Sequence, residues 1–298
     1  MLSILIPTYN YKTLHLAKVL HEQATKENIV FEILVADDAS DNKEIVRDNE
    51  AINLLAHCSY FINSENLGRA KNRNLLALKA KYSWVLFMDC DTLPIRSSFI
   101  KNYINLINQN THEVFYGGID YEKENPNETE LLRWVYGKKR EAIVVSEREK
   151  KPYNTTLVSN LVIKKQILLS IPFHSNINEY GYEDLVFTLE LKKNKIKICH
   201  IENPAYHLNL ENSVVFLEKN LRGIKNLNYL IKNKIIAPNE TSLSVFYSKL
   251  FYFKLDKFVL FCFNVFKSKM KKNLLSKNPS LLVFDLYKLG YFCSLNHH

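Results

Sequence analysis

The feature that most restricts the fold of this chain is a repeated alternation of short apolar runs with segments of helical spacing. Leu2–Ile6, Phe31–Ala36, Tyr60–Ile62 and Trp84–Met88 are too short for buried helices and suit strands covered on both faces. Between them, apolar residues at 14, 16, 17, 20 and 24 and at 70, 75, 76, 78 and 80 recur with helical spacing, and Lys43–Ala56 also reads as a helix. Strand, loop and helix in this repetition predict a parallel α/β sheet with right-handed crossovers.

Such a sheet gathers the loops at the carboxyl ends of its strands along one edge, where open α/β sheets bind ligands. Three of these loops are polar: Thr8-Tyr9-Asn10, Asp37-Asp38 and Asp89-Cys90-Asp91. If the last strand stayed extended, Asp89 and Asp91 would point to the same side and could share one hard cation. A solvated turn is the competing reading, because Asp favours turns and Pro94 argues that the strand stops nearby. Cys90, between the carboxylates, is expected to point away from them. Neither G-x-G-x-x-G after the first strand nor a G-x-x-x-x-G-K-[ST] loop occurs, so a phosphate ligand would need a metal in place of those devices.

Composition narrows the class. The chain has 298 residues, enough for one large domain or a domain with an appendage, and is 47% hydrophobic and 24% charged, which is ordinary for a globular protein. Only 7 glycines are present, against a Gly-rich dinucleotide fold, and the net charge of +9 points to an anionic partner: nucleotide, nucleic acid or membrane surface. Five scattered cysteines without C-x-x-C spacing fit a reducing compartment better than a disulfide framework. Met1–Ile6 lacks a basic leader and meets Pro7 at once, and no apolar run reaches the ~20 residues that span a bilayer. The expected location is the cytoplasm.

The segments I-L-I-P-T-Y-N, V-A-D-D-A-S-D, N-L-G-R-A-K-N-R-N and F-M-D-C-D, in this order and at these separations, resemble the inverting glycosyltransferases of family 2. The resemblance continues through Ser159-Asn160 and Y-G-Y-E-D-L at 180–185, and so covers roughly residues 1–210. It implies a GT-A fold, a Rossmann-like and mostly parallel sheet flanked by helices. Residues 1–120 would form the nucleotide-sugar-binding half and 121–210 the acceptor and catalytic half, with 211–298 a helical C-terminal extension.

The resemblance also implies roles. Pro7, Thr8, Tyr9 and Asp38 would hold the nucleotide base and ribose of a nucleotide-diphosphate sugar, with a uridine nucleotide favoured. For Tyr9 plain packing stays open beside base stacking, and Asp37 reads as a turn or helix cap. Gly68 would admit close backbone approach, and Arg73 would pair with diphosphate oxygens, with Arg69 and Lys71 as neighbouring candidates. Asp91 would be the principal ligand of Mn²⁺ or Mg²⁺. Asp89 would assist directly, through water or on the ribose, and His207 would complete the site. The family often has a further Asp where Thr92 stands. Asp184 of the E-D pair would be the general base and Glu183 would position the acceptor or the helix start. The structural alternative for both is a pair of first-turn carboxylates favouring the helix dipole. The acceptor would be a hydroxyl of a growing surface polysaccharide or of a lipid-linked glycan. Trp134, in an acidic-then-basic insertion over 121–152 that reads as a mobile lid, would line the acceptor wall or pack in the core.

Beyond residue 242 the chain mixes phenylalanine with lysine, and Asp256 is the lone acid between 242 and 274. This basic, aromatic stretch over 244–272 reads as a peripheral contact with the inner face of the plasma membrane, with burial against the catalytic domain or a homodimer contact as alternatives. The charge being concentrated there, and no recognition motif being present, nucleic acid is not expected as a partner. Two other functions remain to be weighed: a sugar nucleotidyltransferase, which would need a Gly-rich loop where P-T-Y-N stands, and a non-catalytic nucleotide-sugar-binding subunit, which would not need the full D-x-D, Arg73 and E-D set.

Overall fold

The computed structural model describes residues 1–124, 126–175 and 180–297. It divides into two compact units: Met1–Glu122 with Ala142–Asn178 and Glu183–Asn209, and Lys123–Glu141 with Glu179–Tyr182 and Leu210–His298.

The first unit is built on a seven-stranded sheet. Its strands are β1 (Leu2–Thr8), β2 (Phe31–Asp37), β3 (Cys58–Ile62), β4 (Trp84–Met88), β6 (Val114–Tyr116), β8 (Asn160–Lys164) and β9 (Cys199–His200), in the order β3-β2-β1-β4-β8-β6-β9. The first four run parallel, β8 is antiparallel to both its neighbours, and β9 pairs parallel with β6. A second, three-stranded sheet consists of β5 (Thr92–Pro94), β10 (Ala205–His207) and β7 (Ile119–Asp120), in the order β5-β10-β7.

The central strands are largely apolar because both faces are covered, and the buried polar pair among them, Ser3 and Glu32, is joined by a hydrogen bond from the Ser3 hydroxyl at 2.6 Å. Ile4, Ile6, Ile33, Val35, Leu86 and Met88 pack on one side with the helix Leu14–Lys26 and the helix Phe99–Gln109. Leu5, Leu34, Val85, Phe87, Leu161 and Ile163 pack on the other with the helix Arg69–Lys79 and the helix Glu183–Lys193. Odd and even residues of one strand thus feed different cores, as the two-residue period requires.

Several sequence expectations shift in detail. The second helix ends at Glu50 and continues as a single tight turn, Ala51–Leu54. Before His207 the chain adds only the short strand Cys199–His200. The insertion over 121–152, expected to be a lid, contains the helix Leu131–Arg140, whose Leu132 is buried.

The second unit is helical. Leu131–Arg140, Ser213–Lys232, Asp256–Leu274 and Leu281–Ser294 enclose a core of Leu132, Phe216, Leu217, Phe263, Leu274, Phe284 and Tyr287, and Ser242–Tyr252 packs beside it through Tyr247 on Phe292. Phe263 lies so close to Gly290 that a Cβ there would overlap its ring. Among the described residues no helix is long and apolar enough to cross a membrane.

Candidate active site

The carboxyl ends of β1, β2 and β4 carry the three polar loops to one edge of the sheet. In parallel register, Thr8 lies opposite Asp37 on β2 and Leu5 opposite Phe87 on β4. The loops are tied together locally. The Asn10 amide donates to Ser40 Oγ at 2.7 Å and the Ser40 amide to Asp37 Oδ1 at 2.7 Å. Asp37 also accepts from the Tyr60 hydroxyl at 2.5 Å. It is therefore a turn-forming carboxylate, in line with the structural reading of that residue.

Asp38 is also engaged by its own fold. Its Oδ1 accepts from the Leu67 amide at 2.8 Å and the Asn63 side-chain amide at 3.0 Å, and its Oδ2 accepts from the Gly68 amide at 2.8 Å. Asp38, the residue expected to contact the nucleotide base, is buried and shapes the loop that ends in Gly68. Gly68 has φ +79, a conformation that only glycine adopts without strain, and it caps the helix Arg69–Lys79. Space beside its Cα is open. Pro7 and Thr8 belong to β1 itself, Thr8 buried beneath the Thr13 hydroxyl at 3.0 Å, while Tyr9 stands half exposed at the rim.

The two carboxylates of D-C-D take different nearest partners. Asp89 continues the odd-numbered face of β4, the face covered by the helix that carries Arg73. Its Oδ1 accepts from Arg73 Nη2 at 2.9 Å. The chain then turns: the Thr92 amide donates to the Asp89 carbonyl at 3.1 Å and the Thr92 hydroxyl to the same oxygen at 2.7 Å. Cys90 packs toward the opposite core, and burial pushes its thiol up to about 12. Because β4 ends at Met88 and a turn follows, the two carboxylates are not presented by one extended strand as expected.

Asp91 instead faces His207. Thr92 pairs with His207 across the antiparallel β5–β10 ladder, and the Leu208 amide donates to the Asp91 carbonyl at 2.8 Å. That register leaves His207 Nε2 3.6 Å from Asp91 Oδ2. The imidazole stacks on Tyr121 with ring centroids 5.5 Å apart, and its Nδ1 is buried without a partner. Among the described residues no three His, Cys, Asp or Glu side chains form a metal-holding group. Of the three residues expected to hold the cation, Asp91 and His207 face each other, and Asp89, paired with Arg73, lies within electrostatic reach of both.

Arg73 is the organising cation. It is 3% exposed, lies over the Phe173 ring at 5.6 Å, and donates from Nη1 to Asp184 Oδ1 at 2.9 Å. Arg73, expected to pair with diphosphate oxygens, is paired here with two carboxylates. Asp184, in the first turn of the helix Glu183–Lys193, also accepts from the Val158 amide at 3.0 Å, and Glu183 opens the same turn, half-buried.

The field within the site is uneven. Burial works against the Asp89 anion, but Arg73, helped by Arg69, holds its carboxyl below the ordinary range. Burial together with the charge of Asp89 holds the Asp91 carboxyl above it, against the pull of His207 and Arg69. Tyr11, which sequence reasoning missed, lies in the same field; burial and the Asp91 charge push its phenol up to about 12. Tyr121 was missed as well, since nothing in its spacing marks a residue that will support an imidazole from β10.

Residues 3–164, more than half of the chain, match the family model described as Glycosyl transferase family 2. The chain belongs to glycosyltransferase family 2. A Haemophilus influenzae protein called an uncharacterized glycosyltransferase is 31% identical over 91 residues, a match spanning 30% of this chain and 29% of that protein. Among solved structures, the mannosyltransferase PcManGT from Pyrobaculum calidifontis, in complex with GDP-Man and Mn²⁺, superposes with TM-score 0.54 at 13% identity, over 78% of this chain and 64% of that one. S. aureus TarS 1-349 in complex with UDP-GlcNAc superposes with TM-score 0.51 at 18% identity, over 98% of this chain and 89% of that one. At these identities the structural likeness is one of fold. It places this family 2 glycosyltransferase among GT-A structures, a mostly parallel sheet flanked by helices with a helical C-terminal region.

Proposed function

We propose that this protein is an inverting glycosyltransferase that moves a sugar from a nucleotide-diphosphate donor, a uridine nucleotide by preference, to a hydroxyl of a surface or lipid-linked glycan. The observation that carries the reading is the Arg73 bridge, which draws Asp89 of the D-x-D loop and Asp184 of the E-D pair to 2.9 Å from one guanidinium. Two motifs distant in sequence share one charge network, as donor binding and deprotonation of the acceptor hydroxyl that attacks its anomeric carbon require.

In this reading Asp184 takes the acceptor hydroxyl's proton as that oxygen attacks the anomeric carbon. Arg73 holds the carboxylate in place, and each of its oxygens retains a lone pair for the incoming proton. The negative charge left on the departing nucleoside diphosphate needs a counter-charge. Asp91 and His207 fit a divalent cation by donor chemistry: a carboxylate raised by burial, which binding would relieve, and an imidazole oriented by Tyr121. Mn²⁺ or Mg²⁺ held there would supply Lewis-acid stabilisation of the diphosphate. Arg69, exposed at the start of its helix and electrostatically felt by both Asp89 and Asp91, takes over the diphosphate contact first expected of Arg73. Pro7, Thr8, Tyr9 and the open space beside Gly68 frame the nucleoside side, and Glu183 the acceptor side.

The test is release of nucleoside diphosphate from a panel of nucleotide sugars with Mn²⁺, with and without acceptor glycans. Metal-dependent donor turnover that Asp184→Asn removes supports the reading. Donor binding without turnover under any acceptor would instead favour a non-catalytic subunit.

A further inference from the structure

The helical unit exposes apolar side chains that its own core does not use. Phe251, Tyr252, Phe253 and Leu255, at the corner between the helices Ser242–Tyr252 and Asp256–Leu274, are 62%, 78%, 66% and 48% exposed. The face continues along the second helix through Phe258, Phe261 and Val265, spaced at i, i+3 and i+7 and all more than half exposed. Monomeric soluble surfaces rarely present so contiguous an apolar run without a use for it.

Its surroundings have one sign of charge. Lys249, Lys254, Lys257, Lys267, Lys269, Lys271 and Lys272 are all exposed. Asp256, the sole acid between 242 and 274, is buried and paired with His297 at 2.5 Å. A hollow of 330 Å³ lined by Pro238, Asn239, Val245, Ser248, Lys249, Tyr252 and Phe253 opens beside the corner.

We propose that this corner and the Phe258–Val265 face insert into the interfacial region of an anionic lipid bilayer, with the lysines on the headgroup phosphates. Aromatic rings suit the headgroup depth, and lysine stems run along apolar surface while the ammonium reaches phosphate. The hollow accepts an acyl chain whose phosphate meets Lys249. A second copy of the same chain is a poorer occupant, because a twofold contact would set this lysine-rich face against itself.

Full-length protein is sedimented with vesicles of phosphatidylglycerol and phosphatidylcholine, and with vesicles of phosphatidylcholine alone. The expected result is binding to the anionic vesicles that falls as salt rises. Each of Lys254→Gln and Lys257→Gln should weaken the partition by about fivefold. The triple change Phe253→Ser, Phe258→Ser, Phe261→Ser should abolish it while thermal unfolding is retained, since all three side chains are exposed. As a second readout, the Phe253→Trp variant should show a shift of tryptophan emission to the blue with anionic vesicles, beyond any shift of the wild type. Equal sedimentation of wild type and triple variant, a Phe253→Trp emission that moves no more than that of the wild type, or a concentration-dependent dimer that the triple variant dissociates would each overturn the proposal.

Discussion

Arg73 Nη1 donates to Asp184 Oδ1 at 2.9 Å, and this one contact joins the helix after β3 to the helix that opens with the E-D pair. Because the guanidinium is nearly fully buried, its two carboxylate partners are a requirement of folding as well as of any chemistry between them.

Arg73→Ala should therefore destabilise the protein by about 3 kcal/mol, read by denaturant or thermal unfolding. Arg73→Lys should recover part of that loss but little transfer, since an ammonium cannot span both carboxylates with a planar fork. A variant that unfolds normally and transfers normally would remove the network from both accounts.

Asp89→Asn carries a pH signature. The Asp89 carboxyl lies below its ordinary range in the fold, so its stabilising contribution is complete above the unfolded value near pH ~4 and vanishes as pH falls through the lower folded value. Melting curves of wild type and variant should stay separated at neutral pH and converge in strong acid. Parallel curves across the range would contradict the ion pair.

Asp184→Asn should lower transfer by about 10²- to 10⁴-fold with little change in donor binding by calorimetry. His207→Ala should instead weaken Mn²⁺ binding by at least about tenfold, with restoration at high metal concentration. Opposite behaviour of the two variants would exchange the roles proposed for the two residues.

His200 predicts a second acid sensitivity. Burial, with the nearby charge of Arg148, lowers its pKa to about 4, and its Nε2 sits 3.1 Å from the Pro152 carbonyl and 3.3 Å from Thr156 Oγ1. The folded ring stays neutral where the unfolded one takes up a proton, so stability falls as pH drops from about 6.5 toward 4. The loss should amount to about 3 kcal/mol and be smaller in His200→Gln.

Gly117→Ala should destabilise by at least ~2 kcal/mol. A Cβ there would overlap the Tyr103 hydroxyl, the Asn203 carbonyl and the Asn160 side-chain amide. Tyr103 donates to Asn160 Oδ1 at 2.6 Å, and the Asn160 amide donates to the Gly118 and Asn203 carbonyls, so the knot beneath the site would have to open.

The strands and most helices are legible in the sequence because both core faces demand apolar residues at a two-residue period and the intervening segments at a helical one. Trp84–Met88 matches the expected strand to the residue, with Asp89 following at its carboxyl end and Asp184 at a helix start. What local pattern could not contain is the partner each carboxylate takes. Asp89 meets Arg73 because strand parity carries it to the face covered by the helix Arg69–Lys79. Asp91 meets His207 because a turn at Cys90-Asp91 feeds β5, which pairs with a strand more than a hundred residues on. Asp38, by motif a ligand contact, closes a loop because three donors from Asn63, Leu67 and Gly68 converge on it. Short-range periodicity determined the elements and their polar ends; the direction of each buried charge was decided by hydrogen bonds between segments that only the tertiary structure brings together.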